Sequence, residues 1–138
     1  VVFLLIGAGE TAQKYAENYM KYVPQAYNLV NRITVRQTIE VMRHSDLYLG
    51  GDTGPVHMAA ACGLGGVAIY STSKDYNGDK QSDASCWFAP WKSSIIVVQP
   101  DHALPGCEHG CNHNEAHCIC QVKPDQVYAE LIKQLRVK

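Results

Sequence analysis

Five short, mostly apolar blocks constrain this chain more than any other feature: 1–6 (VVFLLI), 27–30 (YNLV), 46–50 (DLYLG), 67–70 (VAIY) and 95–98 (IIVV). Each has the length of a strand. Apolar residues tend to follow one another within them instead of alternating with polar ones, the mark of strands buried on both faces and hence of a parallel sheet covered by helices. Between the blocks the period changes. Ala12, Tyr15, Ala16, Tyr19, Met20 and Val23 recur at helical spacing up to the stop at Pro24. Val35, Ile39 and Met42 share one helical face, with Arg36, Gln37, Glu40 and Arg43 on the other. Residues 54–62 form a small-residue helix with Pro55 in its first turn, where a proline costs no hydrogen bond. A closing helix turns Val127, Leu131 and Leu135 inward. Strand alternating with helix predicts an α/β fold with a Rossmann-like, doubly wound parallel sheet.

With 138 residues the chain accommodates one domain, so residues 1–138 are predicted to share a single core. The exceptions are a long polar loop over 71–93, with a turn signal at Asn77-Gly78-Asp79, and a Cys/His-rich loop at 107–120. Block 1–6 is too short for a membrane span and lacks the cationic flank of a signal peptide. It begins without Met and inside a predicted core strand, so the sequence reads as a fragment of a longer polypeptide. Twelve Lys and Arg against 13 Asp and Glu give a formal net charge of -1, which removes the electrostatic case for nucleic acid.

Residues 50–63 (GGDTGPVHMAAACG) carry the clearest chemistry. A strand end runs through Asp52, Thr53 and Gly54 directly into a helix, at the edge where open parallel sheets bind ligands. Unpaired N–H groups and the positive end of the helix dipole suit a diphosphate there, with Gly54 allowing close approach, a hydroxyl on Thr53 and His57 one turn in. The plainer alternative is that Asp52 or Thr53 only caps the helix.

The block L-x-x-x-G-D-T-G-P-x-H-x-A-A-A-x-G over 47–63 resembles the donor-binding segment of glycosyltransferase family 9, the ADP-heptose:lipopolysaccharide heptosyltransferases. The likeness runs in order along nearly the whole chain, through Gly7, Gly9 and Glu10, the segment 31–42, the D-T-G-P-x-H block and a late Cys cluster. It implies a GT-B architecture of two Rossmann-like halves, this chain being the C-terminal, donor-binding one. By position, Asp52, Thr53, Gly54, Pro55 and His57 would surround the diphosphate and sugar of an ADP-sugar, Glu10 would lie near the ribose, and Thr34 within 33–35 near the adenine. The resemblance implies a cytoplasmic enzyme, peripheral at the inner face of the membrane when whole, with a glycan or lipopolysaccharide acceptor held by an N-terminal half that also carries the catalytic base. Two segments depart from the family pattern: Gly65-Gly66 before the fourth strand and Tyr70-Ser71-Thr72 after it.

A rival pattern stands at the amino end, where Gly7-Ala8-Gly9-Glu10-Thr11-Ala12 fits G-x-G-x-x-A after a strand. The acidic residue that would hold a ribose 2′-OH is missing from 27–32, and Arg32 would suit a 2′-phosphate instead. The alternative function is thus an NADP-type or metal-stabilised module without transferase activity. Sugar transfer itself needs no metal if helix N–H groups and basic side chains neutralise the leaving diphosphate.

Cys107, Cys111, Cys118 and Cys120, interleaved with His109, His113 and His117, are the ligand types of a structural zinc site, although the spacing is not the paired C-x2-C. Disulfides and a reduced, loop-stabilising cluster are the other two readings. Trp87, Phe88, Pro90 and Trp91 form an aromatic group suited to lining a ligand surface or to pinning the loop. His44 and His102 belong to no constellation and read as surface residues.

Overall fold

The computed structural model describes residues 1–75, 88–107, 115 and 117–136. The turn at Asn77-Gly78-Asp79 and the residues Cys86, Trp87, His109, Cys111 and His113 lie outside the described residues. Elements follow the predicted order: β1 (Leu4–Leu5), α1 (Glu10–Met20), β2 (Tyr27–Asn28), α2 (Val35–Arg43), β3 (Tyr48–Gly51), α3 (Gly54–Ala61), β4 (Gly66–Ile69), β5 (Ile95–Val98), a 3-10 turn (Cys118–Gln121) and α4 (Pro124–Arg136). Among the described residues every strand pair is parallel. The pairs fall into a two-stranded sheet, β1-β2, and a three-stranded sheet, β3-β4-β5. The chain divides into two compact units, residues 1–41 and 42–138.

In the first unit the predicted six-residue strand shrinks to Leu4–Leu5, and Val1, Val2, Phe3 and Leu4 are exposed. The expectation of a buried strand fails at this end because, among the described residues, β1 has a single hydrogen-bonded neighbour, β2. Helix α1 buries Ala16 but leaves Tyr15 in solvent, and it ends at Met20, short of Pro24. Tyr19 stacks edge-on against Phe3 with ring centroids 6.3 Å apart. The Gly7–Gly9 turn is clamped by Asn31, whose Oδ1 accepts from the Gly9 N–H (2.8 Å) and whose Nδ2 donates to the Gly9 carbonyl (3.4 Å). A Cβ on Gly7 would lie 3.0 Å from that of Ala12, so helix and strand meet more closely than another residue allows.

In the second unit β4 is buried on both faces, as its unbroken apolar run predicts: Val67 and Ala68, which point to opposite faces, are both fully buried. On one face Val67 joins Val98 and Val127 in a core cluster, with Ile69, Ile96, Val122 and Leu131 packed around it. Helix α4 thus covers β4 and β5, while α3 packs on β3 through the buried Val56 and Ala59. Gly66 answers one departure from the family pattern. It pairs with Tyr48, and a Cβ there would sit 2.7 Å from the Tyr48 backbone N and carbonyl carbon, so only glycine lets β4 begin at this separation.

Candidate functional site

Strand β3 ends at Gly51, and the next two residues, Asp52 and Thr53, lead straight into α3. Asp52, Thr53, Gly54 and His57 are exposed and Pro55 is half-buried, so the five residues predicted around a diphosphate form one solvent-facing group at the carboxyl end of a parallel strand. Thr53 occupies the N-cap in extended conformation (φ -147°, ψ 167°), yet its side chain makes no capping hydrogen bond. Its hydroxyl bonds instead to the hydroxyl of Tyr48. The cap reading of Thr53 is therefore wrong for its side chain, and the first turn of α3 keeps its dipole end uncovered by that group. At Gly54 an added Cβ would meet nothing nearer than Met58 Cε at 4.0 Å, so crowding within the protein does not require glycine there.

Two tyrosines support this group from beneath. Tyr48, buried at the start of β3, lies over Gly50, where a Cβ would collide with its ring. Burial pushes its phenol up, against a smaller lowering from the Thr53 bond. Tyr70 follows β4, and because Gly51 pairs with Ile69, the next residues along, Asp52 and Tyr70, stand side by side. The Tyr70 hydroxyl donates to the Phe88 carbonyl (2.8 Å) and bonds to the Asp52 side chain. Burial first, then the Asp52 charge and bond, push the phenol up to about 12. Sequence reasoning gave neither tyrosine a role. The signal was available only as register: a tyrosine one position beyond the strand partner of Gly51.

Glu10 and Thr34 belong to the unit 1–41, and the 52–57 group belongs to the other unit. Glu10 opens α1 and is exposed. Thr34 forms a reciprocal capping box at α2, its N–H donating to Gln37 Oε1 (2.8 Å) and its Oγ1 accepting from the Gln37 N–H (3.3 Å).

The loop after β5 gathers a second group. Cys107 (3% exposed) and Cys118 (6%) place their sulfurs 3.2 and 3.8 Å from His117 Nδ1, and the three atoms all lie within 4.8 Å of one another. Among the described residues the group is Cys107, His117 and Cys118, which adds His117 to two of the four predicted cysteines; Cys120 is exposed and Cys111 lies outside the described residues.

Of the aromatic group, Pro90 is buried, but Phe88 is exposed and Trp91 is 84% exposed with Lys92 Nζ 5.6 Å from its ring centre. What pins this loop is the Phe88 carbonyl on Tyr70. His102, predicted to stand alone, bonds through Nδ1 to Asp75 (3.0 Å).

The family model of glycosyltransferase family 9 (heptosyltransferase) matches residues 1–116. Lipooligosaccharide heptosyltransferase 2 of Campylobacter jejuni subsp. jejuni serotype O:6 is 24% identical over 136 residues, covering 94% of this chain and 40% of that protein. The serotype O:2 counterpart is 24% identical over 130 residues, covering 90% and 38%. The chain thus spans about two fifths of the length of these curated relatives. Among solved structures, a family 9 glycosyl transferase from Veillonella parvula DSM 2008 has the same fold, with a TM-score of 0.74 at 14% identity, covering 99% of this chain and 36% of that one.

Proposed function

The chain belongs to glycosyltransferase family 9, and from that membership we propose that residues 1–138 act as one donor-binding domain of an enzyme that transfers a heptose-like sugar from an ADP-sugar to a lipopolysaccharide core or related surface glycan. The observation that carries the reading is the exposed first turn of α3, uncapped by the Thr53 side chain and entered through a glycine that internal packing does not demand. In this reading the diphosphate lies against that turn, where N–H groups and the dipole stabilise the charge that grows as the sugar departs. His57 adds a donor one helical turn in. Asp52 carries negative charge, which suits it to accept from sugar hydroxyls and not to touch phosphate.

During transfer an acceptor hydroxyl attacks the anomeric carbon, the bond from that carbon to the diphosphate oxygen breaks, and ADP leaves with the electron pair. The acceptor proton passes to a base that we assign, with the acceptor site, to an N-terminal half outside this sequence. The step requires no metal where helix N–H groups and basic side chains neutralise the leaving diphosphate. The family reading places the whole enzyme on the cytoplasmic side, at the inner face of the membrane.

Calorimetry with ADP, an ADP-sugar and NADP tests the reading. ADP and the ADP-sugar should bind, and Gly54→Val should weaken both by more than tenfold, about 1.4 kcal/mol, with an unchanged melting temperature. Equal affinity in wild type and variant would misplace the site, and preference for NADP would favour the dinucleotide alternative at Gly7–Gly9.

A further inference from the structure

We propose that Cys107, His117 and Cys118 bind a zinc ion that clasps the loop after β5 to the turn preceding α4. The site stands apart from the donor reading and does not depend on it. Local sequence builds it. Leu104-Pro105-Gly106-Cys107 is a tight turn closed by the Cys107 N–H on the Leu104 carbonyl (2.9 Å), with proline second and glycine third at φ +86°. That is the residue pattern a type II turn demands. The same Leu104 offers its own N–H to Cys118 Sγ (3.4 Å), so one turn fixes the backbone of one cysteine and donates a hydrogen bond to the sulfur of the other. A backbone N–H aimed at sulfur favours the thiolate, the form that binds metal.

Geometry and charge both suit zinc. Tetrahedral zinc, with Zn–S of about 2.3 Å and Zn–N of about 2.0–2.1 Å, sets its ligand atoms roughly 3.5–3.8 Å apart. The sulfurs stand 3.2 and 3.8 Å from His117 Nδ1, and no two of the three atoms are more than 4.8 Å apart, so small side-chain adjustments close the three around one ion. Two thiolates and a divalent cation sum to zero charge, which allows the site to lie where both cysteines are buried. Sulfur with imidazole selects zinc over magnesium or calcium. The role follows from position: Val122, just past the 3-10 turn, packs on the Val67–Val98–Val127 cluster, so holding Cys118 in place holds the entry of α4 against β4 and β5.

Metal analysis of the 138-residue protein, purified under reducing conditions without added zinc, should find near one equivalent. Cys107→Ser, Cys118→Ser and His117→Ala should each reduce it to near none, while Cys120→Ser retains it. Because a variant can fail to fold, cobalt is also titrated into the chelated wild-type protein. A sulfur-to-cobalt charge-transfer absorption saturating at one equivalent, with recovery of a melting temperature lowered by the chelator, is the expected result. A metal-free protein whose melting is indifferent to chelator and to cobalt would overturn the proposal. So would full metal content in the Cys107→Ser and Cys118→Ser variants, or a Cys107–Cys118 disulfide in the purified protein.

Discussion

Tyr70 stands beside Asp52 at the carboxyl ends of adjacent parallel strands, and its single hydroxyl proton faces two acceptors, the Asp52 carboxylate and the Phe88 carbonyl. The pairing ties the residue at the mouth of α3 to the loop beyond β4. It also makes the buried phenol harder to ionise.

Replacing Tyr70 by Phe keeps the buried ring and removes the hydroxyl. Stability should fall by about 0.5–1.5 kcal/mol, the net contribution of a hydrogen bond whose partners keep access to water, measured by denaturant unfolding. The same variant changes the alkaline response. A phenol raised from 10.0 to about 12 stabilises the fold fully below pH 10, and that stabilisation is lost as pH climbs through about 12. Wild type should therefore lose stability across that window more steeply than Tyr70→Phe. Parallel alkaline curves would show that Tyr70 is not held as described.

Gly66→Ala should damage the fold far more than its one methyl group suggests. The new Cβ falls on Tyr48 backbone, which cannot move without opening the β3–β4 ladder, and overpacking of this kind costs about 1–3 kcal/mol or more. Gly54→Ala, with open space around it, is the control. Equal melting temperatures for the two variants would contradict the close approach of β3 and β4.

Two exposed pairs join the segment after β4 to the loop after β5. Asp75 bonds to His102 Nδ1 (3.0 Å) and to the Ala103 N–H (2.7 Å), and Lys74 Nζ bonds to Asp101 (2.5 Å). The His102 and Ala103 bonds hold the Asp75 carboxyl below its usual 3.8, and the Lys74 bond does the same for Asp101. Depressed folded values mean that the stabilisation is complete above the ordinary carboxylate range and is lost as pH falls through the folded values. Melting temperature should drop on acidification below about pH 4, and less so in Asp75→Asn. The effect is small because the groups are exposed.

The polypeptide of 138 residues should bind ADP and transfer nothing. Catalysis requires donor, acceptor and base in one geometry, and orientation alone accounts for about 7–11 kcal/mol of barrier. A transfer assay on this chain beside a two-domain family 9 enzyme checks the proposed assignment of base and acceptor to an N-terminal half. Comparable turnover by the two would place that machinery within these residues.

The order of elements was legible because helical and strand periods are local: the runs at 67–70 and 95–98, the Pro55 helix start and the α4 stripe of Val127 and Leu131 are visible within a few residues. The D-T-G-P-x-H block gave the family by the same local route. Periodicity could not say that 1–6 would pair over two residues only, since burial of a strand depends on neighbours supplied by distant segments. Nor could spacing show that Thr53 bonds to Tyr48 in place of its helix, that Tyr70 meets Asp52, or that His117 joins Cys107 and Cys118. These depend on strand register and on the closing of loops, where one residue of shift sends a side chain to the opposite face. The sequence by itself determined which groups were available and on which elements; only the tertiary structure decided which of them meet, because contacts between remote segments are fixed by packing the whole chain at once.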